Sequence, residues 1–257
     1  MSLDDVPNGT RVDSTERSFA IIEQLAEKRD AGVTEIAEAL DFSKSTVHNH
    51  LQTLRQLGYV IKDDDKYLLG LRFLGLGDRA RDRHGLYYVA KPEADSLVEA
   101  VGERAQVMVE ENDDGIYIYQ SLADQAVRTD TYIGTVVDLH ATAVGKAYLA
   151  HLTEVELEAI LERIDFDEQT PNTLTNREVL RSELEEIADQ GYAFNDEEKT
   201  VGMRAVGAPI LSDDDHVLGG ISVSGPATRM NGTWYREEVP EMVSQSARVI
   251  GLKATYS

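Results

Sequence analysis

The sequence of 257 residues predicts an α+β protein. Three observations lead to this class. Apolar residues recur at helical spacing in three short segments before residue 58, and two short strand-like runs follow them. Further along, alternating isoleucine and tyrosine residues follow an Asp-Asp-Gly turn, a pattern typical of an antiparallel hairpin. Capped helical segments separate the later strands, so we expect helices packed on an antiparallel sheet.

We divide the chain into an N-terminal domain over residues 1–70, a linker helix over 71–90 and a C-terminal domain over 91–257. The first helix is predicted from Asp13 to about Lys28, with capping-box spacing over residues 13–16 and with Phe19 and Leu25 on its inner face. A second short helix is predicted from Thr34 to Leu40.

The third helix is predicted over about residues 43–57, with Ser43 as its N-cap and Gly58 after its end. Its apolar stripe consists of Val47, Leu51, Leu54 and Leu57. Residues 59–61 and 67–69 are predicted to form two short strands around an acidic tip, Asp63 to Asp65. Three helices followed by a hairpin form a winged helix-turn-helix, a fold whose third helix enters the major groove of DNA.

The third helix also has an unusual charge pattern. Residues 42–62 contain no acid, although the chain has 47 acidic and 25 basic residues and a formal net charge of -22. A surface that lies against phosphates cannot keep carboxylates, so this gap predicts a contact with double-stranded DNA. The predicted DNA-binding residues are Ser43, Lys44, Ser45, Thr46, His48, Asn49, Gln52 and Arg55. The alternative is a solvated helix face that lacks acid by chance.

The distribution of charge favours the DNA interpretation. Residues 1–75 have 9 basic and 13 acidic residues, a net charge of -4, and the rest of the chain has a net charge of -18. The acid is therefore concentrated away from the third helix. The acidic tip of the hairpin should not lie deep in a groove, so we predict that it points to solvent.

The whole composition excludes several other classes of site. So large an acidic excess is associated with halophilic proteins, because salt screens the self-repulsion. The chain has no cysteine, which excludes disulfides, thiolate zinc sites and a cysteine nucleophile. Its six histidines are scattered, and we expect neither a metal nor another cofactor. No run reaches the length of a membrane span, so we expect a cytoplasmic protein without a membrane partner.

The C-terminal part alternates between strand and helix patterns. A helix over about 93–101 is followed by a hairpin around residue 113, and two helices are predicted over 154–164 and 177–190. The second of these has a capping box that starts at Thr175, and Gly191 follows it. Two strands flank the turn at 213–215, and a last helix begins near Pro240.

Two segments of this part suggest a binding pocket. In LHATAVGKAYL, a strand is predicted to end near His140 and a helix to begin near Thr142 or Ala143, where free N–H groups favour an anion. In ISVSGP, Ser222 and Ser224 alternate onto one face of a strand. Converging hydroxyls and a helix start suit a small organic acid. The alternative is that both serines only bond neighbouring backbone.

Several segments, taken together and in order, resemble the IclR family of transcriptional regulators. The segments that carry the resemblance are STVHNHLQTLRQLGYV, YLLGLRFLGLG, LHATAVGKAYLAHL, GYAFNDEEKTVGMRAVGAPI and VLGGISVSGPATR. They span nearly the whole chain. The resemblance implies a homodimeric or tetrameric DNA-binding regulator whose C-terminal GAF-like domain binds a small organic molecule. The acidity is that expected of a haloarchaeal-type member.

The resemblance also implies an effector site. Its residues in this sequence are Val137 and Met203 as the apolar wall, the backbone of Ala143 and Val144, and Asn195, Ala205, Ser222 and Ser224. Many members have Asp at the position of Asn195 and a polar or thiol side chain at that of Ala205. Asn removes a negative charge and adds a donor, which allows a more acidic or differently placed ligand. Asn49 stands where Arg is common, so the operator preference of relatives does not transfer.

Two rival functions differ in class from an effector-responsive regulator. An enzyme would have to use the cluster His140, Lys146, Asn195, Asp196, Glu197 and Glu198, but no nucleophile elbow, phosphate-binding loop or metal-spaced histidines accompany it. We therefore expect no catalytic residues. The other rival is a constitutive DNA-binding protein whose C-terminal domain only dimerises. The residues leave open the effector's identity, the operator and target genes, activation or repression, and dimer or tetramer.

Overall fold

The structure is a computed structural model that describes residues 11–127, 129 and 131–256. The chain divides between Arg83 and His84 into two compact units. The predicted N-terminal domain begins at residue 1, and its first ten residues lie outside the described residues. Within the predicted linker, over 71–90, the structure has one helix in the first unit and the start of another in the second.

The first unit is a winged helix-turn-helix, as predicted. Its elements are α1 (Asp13–Lys28), α2 (Val33–Ala39), α3 (Lys44–Gln56), β1 (Val60–Asp63), β2 (Lys66–Leu69) and α4 (Arg72–Arg81). The two strands pair as an antiparallel hairpin. The core consists of apolar residues from the three helices and the hairpin, namely Ile21, Leu25, Ala31, Ile36, Ala37, Val47, Leu51, Leu54, Val60 and Tyr67.

Local details of this unit differ from the prediction at the helix ends. The predicted capping box of α1 is wrong, because Val12 is the N-cap and no side chain caps it. Phe19, which was predicted on the inner face of α1, is 57% exposed. Leu57, which was predicted in the apolar stripe of α3, is 52% exposed because it lies after the last turn of that helix. The predicted cap of α3 is confirmed: the Ser43 hydroxyl accepts a hydrogen bond from the Thr46 N–H. Gly58 ends this helix with a left-handed φ of 78°, as expected for a glycine stop.

The second unit is an antiparallel sheet with helices on both faces, which confirms the α+β class. Its elements are α5 (Leu86–Val101), β3 (Arg104–Glu111), β4 (Asp114–Leu122), β5 (Val136–Val137), α6 (Ala143–Leu149), α7 (Glu154–Leu161), α8 (Arg177–Gln190), β6 (Ala193–Asp196), β7 (Met203–Leu211), β8 (Val217–Pro226), a π-helical turn (Trp234–Glu238) and α9 (Val239–Thr255). The six strands lie in the order β5-β4-β3-β8-β7-β6.

The sheet of this unit separates two apolar cores, and the side chains of β8 alternate between its two faces. Ile221 and Val223 pack with α5 and α9 in one core. A second core lies around α6 and contains apolar residues of α7 and α8. Because side chains of one strand alternate between faces, Ser222 and Ser224 point away from the α5 and α9 layer. The face that carries them is the one that positions the candidate site.

Four boundaries in this unit are corrected by the structure. α5 begins at Leu86, not near residue 93. α7 ends at Leu161, not at residue 164. Asn176, not Thr175, caps α8, because its side-chain oxygen accepts from the N–H groups of Glu178 and Val179. β5 ends at Val137, so His140 lies in the turn that leads to α6 and not at a strand end.

Candidate functional site

The outer surface of α3 has the character predicted from the sequence. Six of the eight predicted residues are exposed, namely Ser43, Lys44, Ser45, His48, Asn49 and Arg55. The other two, Thr46 and Gln52, are half-buried, and the Gln52 amide donates to the Tyr67 hydroxyl at 3.4 Å. No acidic residue occurs in the helix. The helix therefore presents hydroxyl, amide, imidazole and cationic groups together.

The hairpin adds one exposed lysine, Lys62, to this surface, and its tip is acidic. Its tip, Asp63 to Asp65, is exposed, which confirms the prediction that it points to solvent. Lys66 is held by carboxylates, at 2.5 Å from Glu35 and 3.7 Å from Asp30. The Gly32 N–H and Lys66 keep the pKa of Glu35 below its usual value, so this carboxylate is charged at neutral pH. The exposed cations of α3 and the hairpin are Lys44, Arg55 and Lys62, and attraction for a polyanion at this surface depends on them.

A residue of α4 that the sequence analysis missed fixes the end of α3. The Arg72 guanidinium donates to the carbonyl of Leu57, the C-cap of α3, and lies 5.0 Å from the centre of the Tyr59 ring. A cation at this place stabilises the carbonyl end of a helix. The only signal in the sequence was a basic residue soon after the hairpin, and such a residue is ordinary on a surface.

The second unit contains a cavity of about 150 Å³. That is about ten times the ~10–15 Å³ that a single water molecule needs, so a ligand of several non-hydrogen atoms fits. All eight residues of the predicted effector site line it, namely Val137, Ala143, Val144, Asn195, Met203, Ala205, Ser222 and Ser224. They come from five elements, which lie in two parts of the sequence, residues 136–149 and 193–226. The structure thus brings the whole predicted set together, and their role in binding stays a prediction.

A glycine in β7 places the start of α6 against the cavity. A Cβ on Gly207 would lie 2.5 Å from the carbonyl carbon of Ala143 and 2.6 Å from the nitrogen of Val144. Only a residue without a side chain allows the helix to approach the strand so closely. The Thr142 hydroxyl accepts from the Gly145 N–H at 3.2 Å and caps the helix. Ala143 and Val144 occupy its first two positions, where an N–H has no acceptor within the helix.

Both polar side-chain atoms of Asn195 form hydrogen bonds with the protein backbone. Its amide nitrogen donates to the carbonyl of Ala141 at 2.5 Å, and its oxygen accepts from the Glu198 N–H at 3.2 Å. The expected extra donor for a ligand is therefore already bonded to the backbone. Asn195 ties the loop after β6 to the turn before α6, and so shapes the cavity wall.

Two polar residues of the cavity were missed by the sequence analysis. Arg104, at the start of β3, is buried, and its Nε donates to the Ser224 hydroxyl at 3.1 Å. Burial lowers the pKa of its guanidinium. Tyr117 is also buried, and burial raises the pKa of its hydroxyl to about 12, so it remains a neutral donor. Neither gave a clear signal, because Arg104 lies at the edge of the predicted hairpin and Tyr117 belongs to its alternating pattern.

The cluster considered for an enzyme is built as a support and not as a reactive site. Lys146 is fully buried, and its ammonium lies 2.7 Å from Glu198 and 2.5 Å from Glu183. The ring of His140 packs at 5.4 Å from that of Phe166, and burial lowers its pKa. Asp196 pairs with Arg204. In the described part of the chain, no group of three or more potential ligand side chains could hold a metal ion.

A winged helix-turn-helix and a separate α+β unit with an internal cavity define a class: regulators that join a DNA-binding domain to a ligand-binding domain. Comparison with known families agrees. Residues 14–64 match the IclR helix-turn-helix domain, and residues 79–252 match the C-terminal domain of the bacterial transcriptional regulator IclR. The chain belongs to the IclR family of transcriptional regulators.

Individual relatives cover almost the whole chain. A probable HTH-type transcriptional regulator, ArcR of Halobacterium salinarum, is 33% identical over 95% of this chain and 94% of its own length. The crystal structure of the Thermotoga maritima IclR is 30% identical and superposes with a TM-score of 0.80 over 96% of this chain and all of that one. An IclR homologue of Microbacterium hydrocarbonoxydans, in complex with 4-hydroxybenzoate, shares the fold at 22% identity, with a TM-score of 0.79 over 95% and 99% of the two chains.

These relatives are regulators, and the chain is a DNA-binding transcriptional regulator and not an enzyme. Over the described residues, no helix combines the length and the apolar character that crossing a bilayer requires.

Proposed function

We propose that the protein regulates transcription in response to a small organic acid, as a homodimer or tetramer in the cytoplasm. In this proposal α3 enters the major groove, and the acid binds in the cavity of the second unit. Binding changes the affinity for an operator because the acid prefers one of two arrangements of the subunits. One observation carries the proposal: α3 presents an exposed, acid-free surface in a protein with a net charge of -22.

The chemistry of α3 supports a contact with base edges and phosphates. Lys44 and Arg55 lie near opposite ends of the helix, and neither forms an ion pair with any described residue. Arg and Lys are suited to guanine and to phosphate, and Asn49 and Gln52 to adenine. Two such helices in a symmetric dimer would read a palindromic site about one helical turn apart.

The direct test is a binding measurement on the DNA upstream of the protein's own gene. Fluorescence anisotropy or footprinting at several salt concentrations should show specific binding that weakens as salt rises. Lys44→Glu and Arg55→Glu should each reduce affinity at least ~10-fold, because each removes a phosphate or base contact and adds repulsion. Arg248→Glu, an exposed position on α9, is the matched control, since it changes the net charge equally.

Far-ultraviolet circular dichroism of each variant reports whether the fold is intact. If folded Lys44→Glu and Arg55→Glu proteins bind as tightly as the Arg248→Glu control, the assignment of α3 to the groove is wrong. Light scattering coupled to size exclusion gives the oligomeric state, and a monomer at the concentrations of the DNA assay would contradict the dimeric part of the proposal.

The cavity supports an organic acid as effector. Hydroxyls of Ser222 and Ser224, a helix start and an apolar wall surround a space of about 150 Å³. The Microbacterium homologue binds 4-hydroxybenzoate, an acid of this kind. A thermal-shift screen of small carboxylates distinguishes this function from that of a purely dimerising domain. A ligand at 100 times its Kd stabilises by about 2.7 kcal/mol, whereas a domain without an effector site would respond to none.

A further inference from the structure

Arg104 is buried, whereas the other described arginines of the second unit are half-buried or exposed. Five of these arginines pair with a carboxylate, namely Arg163, Arg177, Arg181, Arg204 and Arg229. Arg104 is only 6% exposed, yet among the described residues no carboxylate pairs with it. Its partners are two hydroxyls: Nε donates to Ser224 at 3.1 Å, and Nη1 donates to Thr129.

Two described acids near Arg104, one adjacent in sequence and one in the cavity lining, already have other partners. Glu103, its neighbour in sequence, is bound by both Nε and Nη2 of Arg229. Asp138, which lines the same cavity, accepts a hydrogen bond from the ammonium of Lys199. The described part of the fold therefore supplies hydroxyl acceptors to Arg104 but no negative charge.

Burying a cation without an anion is costly, and its protein partners satisfy only part of its hydrogen-bonding capacity. A guanidinium has five N–H donors in a planar fork that matches a carboxylate in two parallel hydrogen bonds. Two of the five are used by Ser224 and Thr129. Since Arg104 lines the cavity, a ligand there can supply the missing charge.

We propose that Arg104 binds the carboxylate of the effector, and that the effector carries a single carboxylate. This inference rests on the proposed function of the cavity and adds the group that recognises the acid. The other charged side chains among the described cavity residues are paired, Asp138 with Lys199 and Arg204 with Asp196. Among these residues one positive charge is left, and one negative charge on a ligand would balance it. The hydroxyls of Tyr117 and Ser222 then contact polar groups on the body of the ligand.

Titration calorimetry with matched ligands tests the charge requirement on the full-length protein. The probes are 4-hydroxybenzoate, benzoate, pyruvate and lactate, each compared with its uncharged amide. We expect at least one acid to bind, and its amide to bind roughly 10- to 150-fold more weakly, the effect of losing a charge-assisted hydrogen bond. Arg104→Met should lower the affinity for the acid by the same factor and leave the affinity for the amide unchanged. Arg104→Lys should restore part of the lost affinity.

Three outcomes separate this inference from the proposed function. If an acid binds the folded Arg104→Met variant as tightly as it binds the wild type, Arg104 is not the anchor, and the organic-acid function stands. If the amide binds as well as the acid, the charge requirement is wrong. If no acid or amide of the panel binds the wild type, both the inference and the organic-acid function are contradicted.

The ligand-free protein provides an independent test, with Lys146→Met as the matched control. Both changes replace a buried cation by methionine, but Lys146 is paired with two carboxylates and Arg104 with none of the described ones. We expect the melting temperature of Arg104→Met to equal or exceed that of the wild type, and that of Lys146→Met to fall. A fall for Arg104→Met as large as that for Lys146→Met would show that Arg104 neutralises a carboxylate of the protein, and would overturn the inference.

Discussion

Replacing Lys146 by methionine should destabilise the second unit strongly. The ammonium of Lys146 is fully buried and makes three hydrogen bonds to carboxylate oxygens, at 2.5 Å to Glu183 and at 2.7 and 2.8 Å to Glu198. Glu198 is itself only 7% exposed. Methionine fills a similar volume without a charge, so the variant leaves the Glu198 carboxylate buried without its cation.

The size of the stability loss in Lys146→Met depends on which of the two carboxylates can be solvated. The side chain of Glu183 is 33% exposed and can be solvated, so the loss of its bond contributes little. Glu198 is buried and cannot be solvated in this way. Removing one partner of a buried ion pair lowers the free energy of unfolding by about 3–5 kcal/mol. For a unit of this size, 1 kcal/mol shifts the melting temperature by roughly 2–4 °C, so we expect a fall of roughly 6–20 °C.

The pH dependence of this loss gives a sharper test. Burial raises the pKa of Glu198 and Lys146 opposes that rise, so the pKa rises further in the variant. A carboxyl group whose pKa is higher in the folded state favours folding below its unfolded pKa, and this contribution is lost as pH rises through the folded pKa. The deficit of the variant relative to the wild type should therefore be smaller at pH 5 than at pH 7.5, because the buried carboxyl is more readily protonated at lower pH.

Differential scanning calorimetry at pH 5 and pH 7.5 measures both effects. The double variant Lys146→Met with Glu198→Leu removes the orphaned charge, and should recover most of the lost stability. A single variant within about 1 kcal/mol of the wild type at pH 7.5 would refute this account of the buried pair. So would a double variant that is no more stable than the single one.

Two further substitutions test the local structure of each unit. Ser43→Ala removes the cap of α3 and should lower the free energy of unfolding of the first unit by about 1 kcal/mol, measured by urea denaturation, whereas Ser43→Asn should keep the cap. Gly207→Ala places a Cβ 2.5 Å from the backbone of Ala143, so it should lower the free energy of unfolding of the second unit by about 1–3 kcal/mol. It should also weaken the binding of any ligand in the cavity, and calorimetry measures both effects. Gly75→Ala in α4 meets no atom within 4 Å and should instead stabilise by about 0.5–1 kcal/mol; the same loss in both variants would refute the close-approach argument.

Most of the fold could be predicted because its signals are local. The spacing of Val47, Leu51 and Leu54 places one face of α3 in the core, and the alternation of Ser222 and Ser224 with Ile221 and Val223 separates the two faces of β8. One error occurred where two residues compete for one role. Thr175 and Asn176 are both good caps, and in the structure it is the Asn176 side chain that accepts from the first N–H groups of α8.

The cavity was only partly predictable, for a different reason. Its serines and the start of α6 carry a pattern that sequence alone can reveal. Arg104 does not, because an arginine that follows a glutamate at the beginning of a strand is usually a surface residue. Its burial results from neighbours that are 25 and 120 positions away in sequence, Thr129 and Ser224. No local pattern contains that information.

Lys146 and Arg104 show why a buried charge has to be judged by its partners. Both are cations inside one unit, and both have neighbours that satisfy some of their hydrogen bonds. For Lys146 the fold supplies the anions, so the charge is neutralised within the protein and holds the loop of Asn195 and Glu198 to α6. For Arg104 the described residues supply only hydroxyls, in a chain with almost two acids for every base. Among the described residues, Lys146 therefore has its anions within the protein and Arg104 has only hydroxyls, and we assign the place of the missing anion to the carboxylate of a ligand.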